Sequence, residues 1–181
     1  HFGIYDAKNH EKGWLDSHDS QWEQGDYFAT KLSQSATKLF DDTLASKKER
    51  FEDDGTLGGG DAAYNSLEYV DLFFTHTHGS VTVTDARWAM WNRYSRALSS
   101  RMRLGDDSRG LSVFASVACN VLRMDGNTVQ RWEPVFMGTL RIALGSHDSI
   151  TCSNDEEWIG WVFADRLQQD WSIKAAWHSG M

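Results

Sequence analysis

Proline occurs once in this chain, cysteine twice, and no apolar run approaches the roughly 18 residues that a membrane-spanning helix needs. The last absence predicts a chain with no membrane partner. Two cysteines are too few for a disulfide framework; one Cys119–Cys152 bridge is the only pairing open to them. Positive charge is also short, with 18 Lys and Arg against 26 Asp and Glu and a formal net charge of −8. Nucleic-acid binding draws its affinity from a basic patch, so no nucleic-acid partner is expected. An acidic surface is compatible with basic substrates. There is no internal repeat and no long low-complexity tract. The chain begins at His1 rather than Met, so a preceding segment is expected to have been removed; the protein is expected to be soluble, either cytoplasmic or secreted with its leader removed.

Aromatic residues are plentiful. A length of 181 residues, 40% of them hydrophobic and 13% aromatic, fits one folded domain over residues 1–181 with a proper core. Nine tryptophans supply large packing area, either in that core or along an aromatic substrate cleft.

Two apolar runs each stop on a reactive side chain. Val70-Asp71-Leu72-Phe73-Phe74-Thr75 leads into His76-Thr77-His78-Gly79, and Leu111-Ser112-Val113-Phe114-Ala115-Ser116-Val117-Ala118 leads into Cys119-Asn120. Runs of this kind read as buried parallel strands, and ligands of open α/β sheets bind outside the carboxyl ends of the strands. If the two strands are neighbours, an imidazole and a thiol meet at one cleft edge, as a cysteine nucleophile and its base require. Cys119 taken alone reads better as a small buried hydrophobe; the pairing with His78-Gly79 at another strand end is what points to a nucleophile.

Elsewhere, residues 2–5 predict a first or edge strand, and residues 8–25 an extended polar loop. Residues 27–44 have the apolar spacing of a helix that Asp26 can cap. Residues 47–54 read as a solvated charged stretch. The glycines of residues 55–60 form a loop, without the Lys-Ser/Thr that a phosphate loop needs. Asp85 is positioned to cap a helix running to about Met102, with Trp88, Met90, Trp91, Tyr94, Ala97, Leu98 and Met102 on its apolar side. Residues 105–110 form a turn, Asp125-Gly126-Asn127 another, and residues 128–136 a short helix broken near Pro134. A buried strand is expected over residues 138–145, followed by the loop Ser146-His147-Asp148-Ser149. Asn154 or Asp155 would cap a helix through Leu167, and a last helix spans residues 172–178. Strands alternating with helices give an α/β fold with a largely parallel sheet and helices on both faces.

The pairs His78-Gly79 and Ala118-Cys119, each at a strand end and in this order, resemble the caspase, legumain, gingipain and clostripain clan of cysteine peptidases. The amphipathic interval between them and the late segments Phe163-Ala164-Asp165-Arg166-Leu167 and Trp171-Ser172-Ile173-Lys174-Ala175-Ala176-Trp177 extend the resemblance over roughly residues 66–178. It implies a caspase/hemoglobinase-like three-layer sandwich, a mostly parallel sheet flanked by helices. It implies hydrolysis of a peptide or amide substrate through an acyl-thioester, with no cofactor and no metal. Cys119 would be the nucleophile, His78 the general acid/base, and the N–H groups of Gly79 and Cys119 the oxyanion hole. By the same analogy Ser146, His147 and Asp148 would contribute to substrate binding, with Asp148 selecting Arg or Lys. A water-excluding acyl-enzyme would also permit transpeptidation or cyclisation.

Two other readings stand beside it. One is a non-catalytic ligand-binding protein on a peptidase-like sheet. The other is a metal hydrolase, because Thr75-His76-Thr77-His78-Gly79 is similar to the His-x-His-x-Asp-His motif of metallo-β-lactamase hydrolases. Ser80 and Val81 stand where that motif needs Asp and His, which leaves too few ligands for a two-metal site.

Overall fold

The computed structural model describes residues 2–6, 28, 30–32, 38–40, 48–53, 55, 59, 70–90, 95–106, 110–150 and 159–181. Its strands are β1 (Phe2–Asp6), β2 (Lys38–Phe40), β3 (Leu72–His76), β4 (Gly79–Val81), β5 (Ala86–Ala89), β6 (Arg96–Leu98), β7 (Val113–Val117) and β8 (Ile142–Leu144). Its helices include α1 (Thr128–Trp132), α2 (Ile159–Gln168) and α3 (Ile173–Gly180). The protein is α/β, with a five-stranded sheet in the order β2-β1-β3-β7-β8 and a three-stranded sheet β4-β5-β6. Every pairing in the larger sheet is parallel, and every pairing in the smaller one is antiparallel.

The central strands are apolar throughout because both their faces are covered. Side chains alternate across the pleat. Phe73 of β3 and Phe114 of β7 stack in one core at 6.2 Å, with Phe51, Trp88 and Trp132 among its members. Phe74, Val113, Ala115 and Val117 face the opposite core, with Phe28, Phe163 and Trp177. There Phe28 stacks on Phe74 at 4.8 Å, and Phe163 meets Trp177 edge-on at 5.3 Å. Ser172 caps α3 by accepting a hydrogen bond from the Ala175 N–H at 3.3 Å. α2 and α3 cover this second face. The described cover of the first face is the antiparallel sheet with short helical turns, where the alternation of strands and helices predicts helices.

The interval between His78 and Cys119 differs most from expectation. Instead of a helix over residues 85–102, Ala86–Ala89 and Arg96–Leu98 are antiparallel strands. Ala86, Trp88, Ala89 and Met90 are buried and Arg87 is half-buried, so burial alone does not separate strand from helix here. Asp85 is a cap, but of the 3-10 turn Ser99–Arg101, where the Ser100 N–H donates to its Oδ1 at 3.2 Å. Burial alone would raise the Asp85 carboxyl; hydrogen bonds from Ser100 and Thr84 and the charge of Arg87 hold it below its usual range.

Other departures follow from pairing and packing. Phe28, Thr30 and Lys31 are helical as expected, yet Lys38–Phe40 within the same predicted helix is a strand in parallel register with β1. β1 is accordingly interior, between β2 and β3. In the stretch expected to be solvated, Phe51 and Glu52 are buried. The strand expected over residues 138–145 shortens to β8 at the sheet edge, because Thr139 and Leu140 N–H groups bond to the Gly105 and Leu104 carbonyls instead. The residue 8–25 loop, Asp26, most of the glycine-rich loop, Trp91, Tyr94, Cys152, Asn154 and Asp155 lie outside the described residues. Among the described residues no helix is long and apolar enough to cross a membrane.

Candidate functional site

β3 and β7 are neighbours, with His76 opposite Val117 at their carboxyl ends. In chain order the larger sheet runs second, first, third, fourth, fifth, so the chain reverses direction between β1 and β3. The carboxyl edge beside such a reversal is where open α/β sheets form ligand crevices. Beyond the strand ends, the Thr77 N–H still reaches the Val117 carbonyl at 3.1 Å. Thr77 Oγ1 donates to the Ala89 carbonyl at 2.6 Å, and the Ala89 N–H donates to the His78 carbonyl at 2.9 Å. These bonds fasten the His78 turn to the antiparallel sheet, where Gly79 lies opposite Trp88. Trp88 in turn donates to Ser116 Oγ of β7 at 2.8 Å and meets Phe114 edge-on at 5.6 Å.

The two turns touch. A Cβ on Gly79 would lie 2.5 Å from the Cys119 carbonyl oxygen, 2.8 Å from Val121 Cγ1 and 2.9 Å from the Ala118 Cβ. Glycine is required here by the close approach of the Cys119 loop, a constraint of the folded chain itself. A cavity of about 10 Å³, room for about one water, is lined by His76, Thr77, His78, Val117, Ala118, Cys119 and Ile150. His76, at the end of β3, is buried; His78 and Cys119 are half-buried.

Cys119 carries a free thiol. Its Sγ donates to the Ile150 carbonyl at 3.4 Å and accepts from the Ile150 N–H at 3.3 Å. Asn120 adopts a positive φ of 60°, a conformation asparagine tolerates better than most residues. That turn lets its N–H bond to the Asp148 carbonyl at 3.0 Å and its Nδ2 to Ser149 Oγ at 3.1 Å. The Leu122 N–H donates to the Ser146 carbonyl at 3.0 Å, and Ser146 Oγ donates to the Asp148 carbonyl at 2.6 Å. The loop after β8 is thus docked on the Cys119 turn through main chain. Ser146 is buried in that junction. His147 and Asp148 project outward, with Nδ1 and Oδ2 3.2 Å apart, and neither lines the small cavity.

His78, Gly79 and Cys119 therefore come together, and the Ser146-His147-Asp148 loop stands beside them. Among the described residues no tryptophan lines this cavity; Trp88, Trp132 and Trp177 are core residues. Among the described residues no three His, Cys, Asp or Glu side chains group as a metal site. Thr77 and Ile150 are not legible in the sequence as site residues, because Ile150 acts through its main-chain groups and the partners of Thr77 are carbonyls that only the fold brings near.

These features define an α/β protein with a histidine turn and a cysteine turn packed together at adjoining parallel strand ends. The chain belongs to the family described as domain of unknown function DUF6345, whose model matches residues 8–181. No curated protein matches it.

Proposed function

We propose that the protein is a cysteine hydrolase of peptide or amide bonds, on a caspase/hemoglobinase-like three-layer sandwich. Support for that architecture comes from the parallel order of the larger sheet and from α2 and α3 packed on one of its faces. The observation that carries the function is the contact of the His78-Gly79 turn with the Ala118-Cys119 turn around one cavity. His78 takes the Cys119 proton, and the thiolate attacks the substrate carbonyl carbon. The N–H groups of Gly79 and Cys119 hold the oxyanion of the tetrahedral intermediate. The C–N bond then breaks, the amine leaves with the proton from His78, and water hydrolyses the thioester. An amine arriving in place of water gives transpeptidation. The exposed Asp148 offers a carboxylate beside the site for a basic substrate side chain.

A specific observation favours a second reading, a non-catalytic ligand-binding protein. A larger cavity of about 410 Å³ lies at the β8 edge, bounded by Leu122, Ile142, Leu144, Lys174, Trp177 and His178. Its volume is in the range of small-molecule sites. The two readings separate on a panel of peptidyl acyloxymethyl ketones with intact-mass detection. The hydrolase reading expects a covalent adduct on Cys119, made by wild type and lost in His78→Ala. Absence of any adduct across basic, acidic and apolar probes favours the binding protein.

A further inference from the structure

We propose that Arg131 is a positioning residue, which sets the separation of the two turns by tying the loop after Cys119 to the end of the strand that begins at Gly79; this rests on Cys119 and His78 acting as a pair. Arg131 is 1% exposed, and burying a guanidinium is costly; its Nε has no partner among the described residues, so the two Nη groups carry all of the compensation. Nη2 donates to the Arg123 carbonyl at 2.7 Å and to Asp125 Oδ1 at 2.8 Å. Nη1 donates to Asp125 Oδ2 at 3.2 Å and to the Thr82 carbonyl at 3.1 Å. Arg123 and Asp125 follow Cys119 closely, and Thr82 directly follows β4, which begins at Gly79. One planar fork therefore joins the far end of β4 to the loop that follows Cys119, a geometry an ammonium cannot reproduce.

The side-chain hydrogen bonds of Thr128 and Trp132 in α1 reach only the cysteine side. Trp132 Nε1 donates to the Val121 carbonyl at 2.9 Å. Thr128 Oγ1 lies 2.9 Å from the Arg123 carbonyl and accepts from the Asp125 N–H at 2.8 Å. Thr128 thus stabilises the same loop without reaching across to Thr82, which makes it the control.

The test uses the full chain and needs no substrate. Iodoacetamide alkylation of Cys119 is followed across pH in wild type, His78→Ala, Arg131→Met, Arg131→Lys and Thr128→Val, with thermal unfolding of each. Wild type should show an alkylation inflection that depends on His78. Both Arg131 variants should move it upward by about one pH unit, the scale of losing a close charged neighbour, while Thr128→Val lowers the melting temperature and leaves the inflection in place. Should Arg131→Met fail to fold, Arg131→Lys retains the charge and carries the test. An unmoved inflection in a folded Arg131 variant overturns the positioning role and leaves the catalytic pair standing. An equal shift in Thr128→Val overturns it too, by reducing it to loop stability. A wild-type profile indifferent to His78 overturns the pair and the positioning role together.

Discussion

Replacing Gly79 with alanine adds one methyl group at the contact between the two turns. The new Cβ would lie 2.5 Å from the Cys119 carbonyl oxygen, and Cβ contacts below 3.0 Å essentially never occur, so the turns must part by at least about half an ångström. The obstacle is a main-chain oxygen, which cannot rotate aside as a side-chain end would. Gly79 is not among the glycines with positive φ, so alanine meets no backbone penalty and the effect is one of space alone. Overpacking of this kind costs about 1–3 kcal/mol, or roughly 2–12 °C in Tm for a chain of this length. Misplacement approaching 1 Å costs up to about 100-fold in a positioned reaction, so Cys119 reactivity should fall by more than the loss of folded protein explains. The assay pairs thermal unfolding with iodoacetamide alkylation at a temperature where the variant is fully folded. A Gly79→Ala protein with the wild-type Tm and alkylation rate would refute the close contact and the site built on it.

Other outcomes follow from single residues. Glu52 is buried with Lys48 Nζ at 3.9 Å and Arg101 Nη1 at 3.6 Å, and burial holds its carboxyl above its usual value despite those charges. A raised carboxyl binds its proton more tightly folded than unfolded, so its contribution is full below about pH 4.3 and is lost as pH rises through the folded value. Glu52→Gln should therefore raise Tm at pH 7 and leave it unchanged near pH 4; a uniform change across pH would contradict this. Asp85 has the opposite sign: its lowered carboxyl stabilises above about pH 3.9 and loses that contribution on acidification. Asp85→Asn should lower stability at pH 7, with the difference closing in an acid denaturation series. Trp88→Ala empties a fully buried site against Phe114 and Trp132, and should cost about 3–5 kcal/mol in urea unfolding. Asn120→Gly should be better tolerated than Asn120→Ala, because only glycine takes the positive φ freely; equal Tm losses would show that the side-chain bond to Ser149 dominates.

The parts of the fold that are legible in the sequence are those that a local pattern encodes. β3 and β7 are buried on both faces, so each reads as an unbroken apolar run, and the reactive residues stand where the runs stop. The Asn127 region and Pro134 likewise carry their own turn and break signals, and α1 followed by the 3-10 turn Pro134–Met137 matches them. Residues 85–102 mislead because Ala86, Trp88 and Met90 satisfy a strand while Trp91, Tyr94 and Leu98 satisfy a helix; pairing of β5 with β4 and β6 decides between the two. β2 is hidden in the same way, since Leu39 and Phe40 fit either period. Arg131 resembles any polar residue of a short helix. Its role depends on carbonyls at Thr82 and Arg123, distant in sequence and invisible to composition.

The most direct measurement is the alkylation rate of Cys119 by iodoacetamide across the pH range, localised by mass spectrometry, in wild type and His78→Ala. The expected result is an alkylation inflection in wild type that moves when His78 is replaced by alanine. An inert thiol, or one with the same inflection in both proteins, would contradict a Cys119–His78 pair and leave the β8-edge cavity as the place to look for function.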